Sequence, residues 1–253
     1  MRERYAYELI QKGMRIDERK FDEFRKIKIR TDVSNKAEGS AHVTLGETQV
    51  IAGVKLKTGE PYPDTPNEGT LIVNAEFTPL ASPDFESGPP GEDAVELARV
   101  VDRGLRESHC LDLEKLCITP KEKVWTVFVD LHMINHQGNL LDASALAAIT
   151  ALHNSQVPKI EEDTIIRGEY VSKLPVVFTP VNVTVGKIED KFILDPLIEE
   201  ENILDSKLSV SVRDDDKICA LQKMGEQGIN FDDLEKMFDM AIKKSKELRK
   251  LVK

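Results

Sequence analysis

Apolar residues recur at two different periods along this chain of 253 residues, and the switches between them divide it into strands and helices. Residues 3–12 carry a short helical pattern that stops at Gly13, a residue type favoured just past a helix end. Alternation over Ile27–Val33, Ala41–Leu45 and Gln49–Leu56 predicts strands, the last two forming a hairpin around Gly46-Glu47-Thr48. Leu71–Phe77 predicts a further strand, and Thr78–Gly91, rich in Pro, Gly and Ser, predicts a loop. Over Glu92–His109 the period changes: Ala94, Leu97, Ala98, Val101 and Leu105 share one face of an amphipathic helix. Val124–Met133 predicts a strand with Val127, Val129 and Leu131 inward, and Asp142 reads as the N-cap of an Ala-rich helix ending near His153.

The later part repeats the style. Strands are predicted at Val176–Val185, Phe192–Leu194, Leu208–Val212 and Ile218–Gln222. A closing helix over Asp232–Leu251 buries Leu234, Phe238, Ala241, Ile242 and Leu248. Pro158, Gly168 and Pro175 mark the stretch between the halves as a connector. The predicted organisation is an N-terminal helix and extension over 1–30, a first lobe over 31–155, a connector over 156–175 and a second lobe over 176–253. Strand runs followed by helices predict an α+β protein, two strand-rich lobes of mixed sheet covered by helices.

Composition narrows the class. Hydrophobic residues make up 40% and charged residues 32%, as in a folded globular chain. Acidic residues outnumber Lys and Arg by 45 to 35, a formal charge of -10 that repels nucleic acid at long range. Any RNA or DNA contact must therefore be a local patch, or must draw its basic character from a partner. Cys110, Cys117 and Cys219 show no CxxC spacing, which argues against a zinc ribbon or a disulfide framework and predicts a cytoplasmic location. No apolar stretch has transmembrane length, and no membrane partner is expected.

Against that acidic background Arg99, Arg103 and Arg106 stand out. They lie at i, i+4 and i+7 of the predicted helix, opposite its apolar face. Guanidinium groups suit phosphate, because their planar forks bind two oxygens and remain charged. Glu92, Glu96 and Glu107 flank the stripe, so the same pattern also describes a solvated face of weak ion pairs. His132 and His136 share an HxxxH spacing, but they leave a strand, where residues four apart are well over ~10 Å from one another. Glu199-Glu200-Glu201 and Asp214-Asp215-Asp216 have the chemistry for Mg²⁺, yet read as solvated surface and as a turn between strands. Walker loops, dinucleotide fingerprints and nucleophile elbows are absent.

Several segments together resemble the RNase PH family of phosphorolytic exoribonucleases. Gly13-Met14-Arg15-Ile16-Asp17-Glu18-Arg19 is similar to the family's opening R-x-D-x-R pattern. Gly39-Ser40-Ala41-His42-Val43-Thr44-Leu45-Gly46-Glu47-Thr48 resembles its first hairpin. The loop and arginine helix, the Ala-rich helix after the Gly138 turn, and Leu194-Asp195 follow in the family's order, so the likeness covers nearly the whole chain. The resemblance implies an RNase PH-type fold and, in active members, removal of RNA 3′ ends by phosphate attack.

It also implies a phosphate site made by a Gly-Ser/Thr-Arg turn at a helix start, an arrangement suited to an anion. The matching turn here is Gly138-Asn139-Leu140, with no arginine between Arg106 and Arg167. Where active members carry an aspartate followed by Met, the alignment places Lys207-Leu208. The likeness is thus to the non-catalytic ring subunits of the archaeal exosome, which implies a silent chain and no cofactor of its own, with phosphate and Mg²⁺ at a partner's site. That partner would be an active homologue alternating with it in a six-membered ring of three heterodimers. Arg99, Arg103 and Arg106 would then contact single-stranded RNA, and RNA-binding cap proteins are possible further partners. Three rivals stay open: an active phosphorolytic 3′-to-5′ exoribonuclease using Asp205, a scaffold that never touches RNA, and, most distant, an unrelated metal-dependent hydrolase using Glu199–Glu201.

Overall fold

A computed structural model describes residues 2–162 and 164–252. Met1, Asp163 and Lys253, which fall within the expected extension, connector and second lobe, lie outside the described residues.

The chain opens with helix α1 (Arg2–Gln11) and builds a first sheet from β1 (Ile27–Thr31), β2 (Gly39–Leu45), β3 (Thr48–Gly59), β4 (Thr70–Glu76), β5 (Cys117–Thr119) and β6 (Lys123–Asn135). Its order is β1-β2-β3-β6-β4, with β5 added on β6; β4 runs parallel to β6 and the other pairs are antiparallel. Helix α2 (Glu92–Glu107) carries the arginines, and α3 (Leu140–His153) follows β6. A second, antiparallel sheet has the order β10-β9-β11-β12, from β9 (Val181–Ile188), β10 (Lys191–Leu194), β11 (Ser206–Val212) and β12 (Ile218–Met224). A short α4 (Ile198–Glu201) precedes β11, and α5 (Phe231–Arg249) closes the chain.

Helix α3 lies between the two sheets, touching β2 and β3 on one side and β9 on the other. That position explains its composition. Ala143, Ala147, Ala148, Ile149, Ala151 and Leu152 are essentially inaccessible, and a helix apolar all round must be buried all round. Helix α2 bridges β4 and β12 beside it, while α5 covers β9 and β11 from outside. One continuous core therefore runs from Ala41 to Leu248 through both sheets. A smaller cluster of Ile10, Ile188 and Ile193 ties α1 to the second sheet.

Three expectations change. The stretch read as a connector is a hairpin of β7 (Gln156–Glu161) and β8 (Thr164–Lys173); Pro158 and Gly168 fall where its register shifts, so the bulge absorbs both. The N-cap of α3 is Asn139, with a left-handed φ of 53°, and Asp142 sits inside the first turn. Glu200, read as solvated, is fully buried against Arg15, with Nη2 to Oε2 at 2.5 Å. The Asp214–Asp216 run does form the turn between β11 and β12.

Candidate nucleic-acid interface

Every residue on the inward face of α2 is small or aliphatic, and that packing turns the arginine face outward. Arg99 and Arg103 are exposed and, among the described residues, make no hydrogen bond or ion pair. The flanking glutamates do not neutralise them; Glu96 instead accepts from Gln222 Nε2 at 3.3 Å. Both arginines line an open groove of about 550 Å³ between the start of α2 and β12, with Gly91, Glu96 and Gln222. Arg106 is engaged differently. Its Nε and Nη2 meet the Asp102 carboxylate at 3.0 and 2.7 Å, and Nη2 also donates to the Leu71 carbonyl at 2.7 Å. Donating to the Asp102 carboxylate raises the Arg106 pKa further, and the contact with Leu71 pins α2 to β4.

The second feature adjoins the groove, sharing Glu96 and Val100 with it. Asn139 and Leu140 at the start of α3 and Lys207 on β11 are far apart in the chain yet line one pocket of about 260 Å³, together with His136 and Glu201. These are the residues at the two positions where the sequence departs from the family pattern. Lys207 Nζ pairs with Glu201 at 3.4 Å. Burial holds His136 below its ordinary value, and its Nδ1 accepts from the Gly138 amide at 3.3 Å. Asp205 is not among the lining residues; its Oδ2 accepts from the Glu189 amide at 2.6 Å.

A buried network behind this pocket fixes the start of α3, and the sequence singled out only its ends. Asp195, with no exposed surface, accepts from Arg25 Nη2 at 2.6 Å, Arg19 Nη1 at 3.1 Å and Asn139 Nδ2 at 3.0 Å. Arg25 also donates to the carbonyls of Gln137 and Gly138. Gly138 itself adopts φ +91°, and a Cβ there would stand 2.4 Å from the Pro196 carbonyl, so only glycine fits this turn. The R-x-D-x-R segment is thus a clamp: Arg15 and Arg19 both donate to the Asp195 carbonyl just past β10, and Arg15 also binds the α4 carboxylate of Glu200. The partners lie about 180 residues away, and short-range pattern carries no signal of them.

Asp142 completes the network by accepting from Asn139 Nδ2, Asn182 Nδ2 and both the amide and hydroxyl of Thr184. Burial pushes its carboxyl up to about 6, with those hydrogen bonds opposing the rise. The folded state therefore holds this proton more tightly than an unfolded aspartate at about 3.9 does. Stability from Asp142 is present below about pH 4 and is lost as pH climbs through about 6, a change of about 3 kcal/mol. The stability advantage of the parent over Asp142→Asn should shrink by that amount between about pH 3 and pH 7 in urea unfolding. A constant difference across that range would mean that Asp142 titrates at its ordinary value.

His132 lies within β6, 3.3 Å from Glu76, while His136 stacks on Phe85 at 5.5 Å beyond the strand end. Among the described residues no group of three or more His, Cys, Asp or Glu is placed to hold a metal ion, and no helix is long and apolar enough to cross a membrane.

Comparison with known proteins agrees with this geometry. Residues 23–158 match domain 1 of the 3′ exoribonuclease family RNase PH, and residues 179–244 match its domain 2. The chain is 49% identical over 249 residues to the exosome complex component Rrp42 of Methanopyrus kandleri, covering 96% of this chain and 92% of that one. In structure it is similar to a chain of the Archaeoglobus fulgidus exosome with RNA bound to the active site, with a TM-score of 0.94 and 49% identity over 100% of this chain and 98% of that one. A chain of an archaeal exosome core gives 0.88 at 46% identity, covering 98% and 95%.

Proposed function

Since this chain belongs to the RNase PH family of 3′ exoribonucleases, we propose that it is a non-catalytic, RNA-contacting subunit of an archaeal exosome ring. The observation that carries the reading is the convergence of Asn139, Leu140 and Lys207 on one pocket. An aliphatic side chain occupies the position that the family pattern gives to a phosphate-binding arginine, and a lysine occupies that of the acid. An ammonium group repels a metal ion that an aspartate would hold. Asp205 does not restore the site, because its carboxylate is taken up outside the pocket.

Bond cleavage then falls to an active homologue that alternates with this chain in a hexamer of three heterodimers. Phosphate and Mg²⁺ belong at that partner's site, and cap proteins would sit on the assembled ring in the cytoplasm. Arg99 and Arg103 supply this chain's share of the RNA contact. Their forks are unoccupied and face a groove, and two local charges suffice on an acidic surface. Arg106, already held by Asp102 and Leu71, adds its charge from behind them.

Phosphorolysis tests the division of labour. With single-stranded RNA, phosphate and Mg²⁺, the purified chain should release no nucleoside diphosphate, and release should appear when the active homologue is added. Release by the chain alone, abolished by Asp205→Asn, would establish the opposite reading.

A further inference from the structure

Resting on the RNA-contacting reading above, we propose that the pocket at the start of α3 receives a nucleobase of the same RNA strand and selects for an exocyclic amine on its edge. Glu96 and Val100 line both this pocket and the arginine groove, so a base next to phosphates held by Arg99 and Arg103 lies within reach of it. At about 260 Å³ the pocket falls below the ~300–1,000 Å³ usual for drug-sized ligands, which suits one planar ring better than a length of chain. Its wall is aromatic. Phe85 stacks on His136 with ring planes 11° apart and packs 4.6 Å from Phe77, and bases stack on such surfaces irrespective of sequence.

Asn139 gives the preference for a donor. The residue is 1% exposed, and its Nδ2 is spent on Asp142 and Asp195, which fixes Oδ1 as an acceptor. That Oδ1 has no partner. A buried acceptor left unpaired is unfavourable; Oδ1 itself is covered, so a base that displaces the side chains over it at the Asn139 wall of the pocket supplies the missing N–H. The charge points the same way: Glu96 and Glu201 add acceptors, while the single ammonium, Lys207, is already paired with Glu201. An amine-bearing edge matches this lining better than a phosphate does.

The test uses the ring assembled with its active homologue and two short single-stranded RNAs, one carrying adenine and the other purine at the same positions. The bases differ only in the exocyclic amine. The parent ring should bind the adenine strand about fivefold more tightly, the effect of one net hydrogen bond. The preference should vanish in Met224→Trp, which fills the pocket from the end of β12, and in Val100→Trp, which blocks its mouth from the surface of α2. Equal binding of the two strands by the parent overturns the proposal, as does a preference that survives both substitutions. The RNA-contacting reading has a separate readout, the overall affinity of the Arg99→Glu, Arg103→Glu ring. Unchanged affinity there removes that reading, whereas equal binding of the two strands with the arginine effect intact removes only the base pocket.

Discussion

Replacing Asp195 by alanine should destabilise the chain by about 3–5 kcal/mol, the usual cost of breaking a buried ion pair from one side. Asp195 has no exposed surface, and Arg25, its main partner, is 7% exposed in its side chain. The substitution would leave that guanidinium, and part of Arg19, desolvated without a counter-charge. It would also strip Asn139 of one acceptor and so loosen the turn before α3. The urea midpoint should fall with the slope unchanged, because the surface exposed on unfolding stays the same. Removing Arg25 as well should recover part of the loss. A drop below about 1 kcal/mol for the single variant would place this network among exposed pairs of little energetic consequence.

The Arg99→Glu, Arg103→Glu ring should lose RNA affinity by about tenfold or more for each arginine, as expected for a charge-assisted hydrogen bond. The plot of log affinity against log salt should also flatten by at least about 1.4, since each phosphate contact on a single strand contributes about 0.7 through released counterions. The fold is expected to tolerate both changes, because neither side chain has a partner to lose. Arg106 behaves otherwise: Arg106→Ala gives up the Leu71 carbonyl and the Asp102 pair, so its effect should appear in stability before it appears in RNA binding. A double variant with parental affinity and slope would make the stripe an ordinary solvated face.

Much of the architecture was legible because two periods carry it. The arginine helix was expected over Glu92–His109 and runs Glu92–Glu107, and the hairpin around Gly46 closes as β2 and β3. Legibility failed where a residue's role is set by something far along the chain. Glu200 looks like surface in an acidic run, and only Arg15, 185 residues away, makes it interior. Asp142 has the composition of an N-cap, but its hydrogen bonds come from Asn182 and Thr184 in the second sheet. Pro158 and Gly168 suggested a break, yet a bulged ladder accommodates both. For the candidate site, the sequence could place Arg99 and Arg103 on one face. It could not show that Arg106 is occupied, or that Asn139 and Lys207 meet.

The Arg25–Asp195 pair spans 170 residues, and this separation bears on how the chain matures. At roughly 5–20 residues per second, synthesis leaves Arg25 waiting on the order of ten to thirty seconds for its carboxylate. During that interval Arg25 can reach the Gln137 and Gly138 carbonyls once they emerge, but its counter-charge is still missing. The first sheet can assemble early from neighbouring strands. The start of α3, where Asn139 donates to Asp195 and Asp142 accepts from Asn182 and Thr184, is completed only when the second sheet arrives. The arginine groove, shared between α2 and β12, is finished later still. A chain cut short before β12 therefore lacks one wall of the groove that Arg99 and Arg103 line, so the groove itself reports that the chain has been made to its last strand.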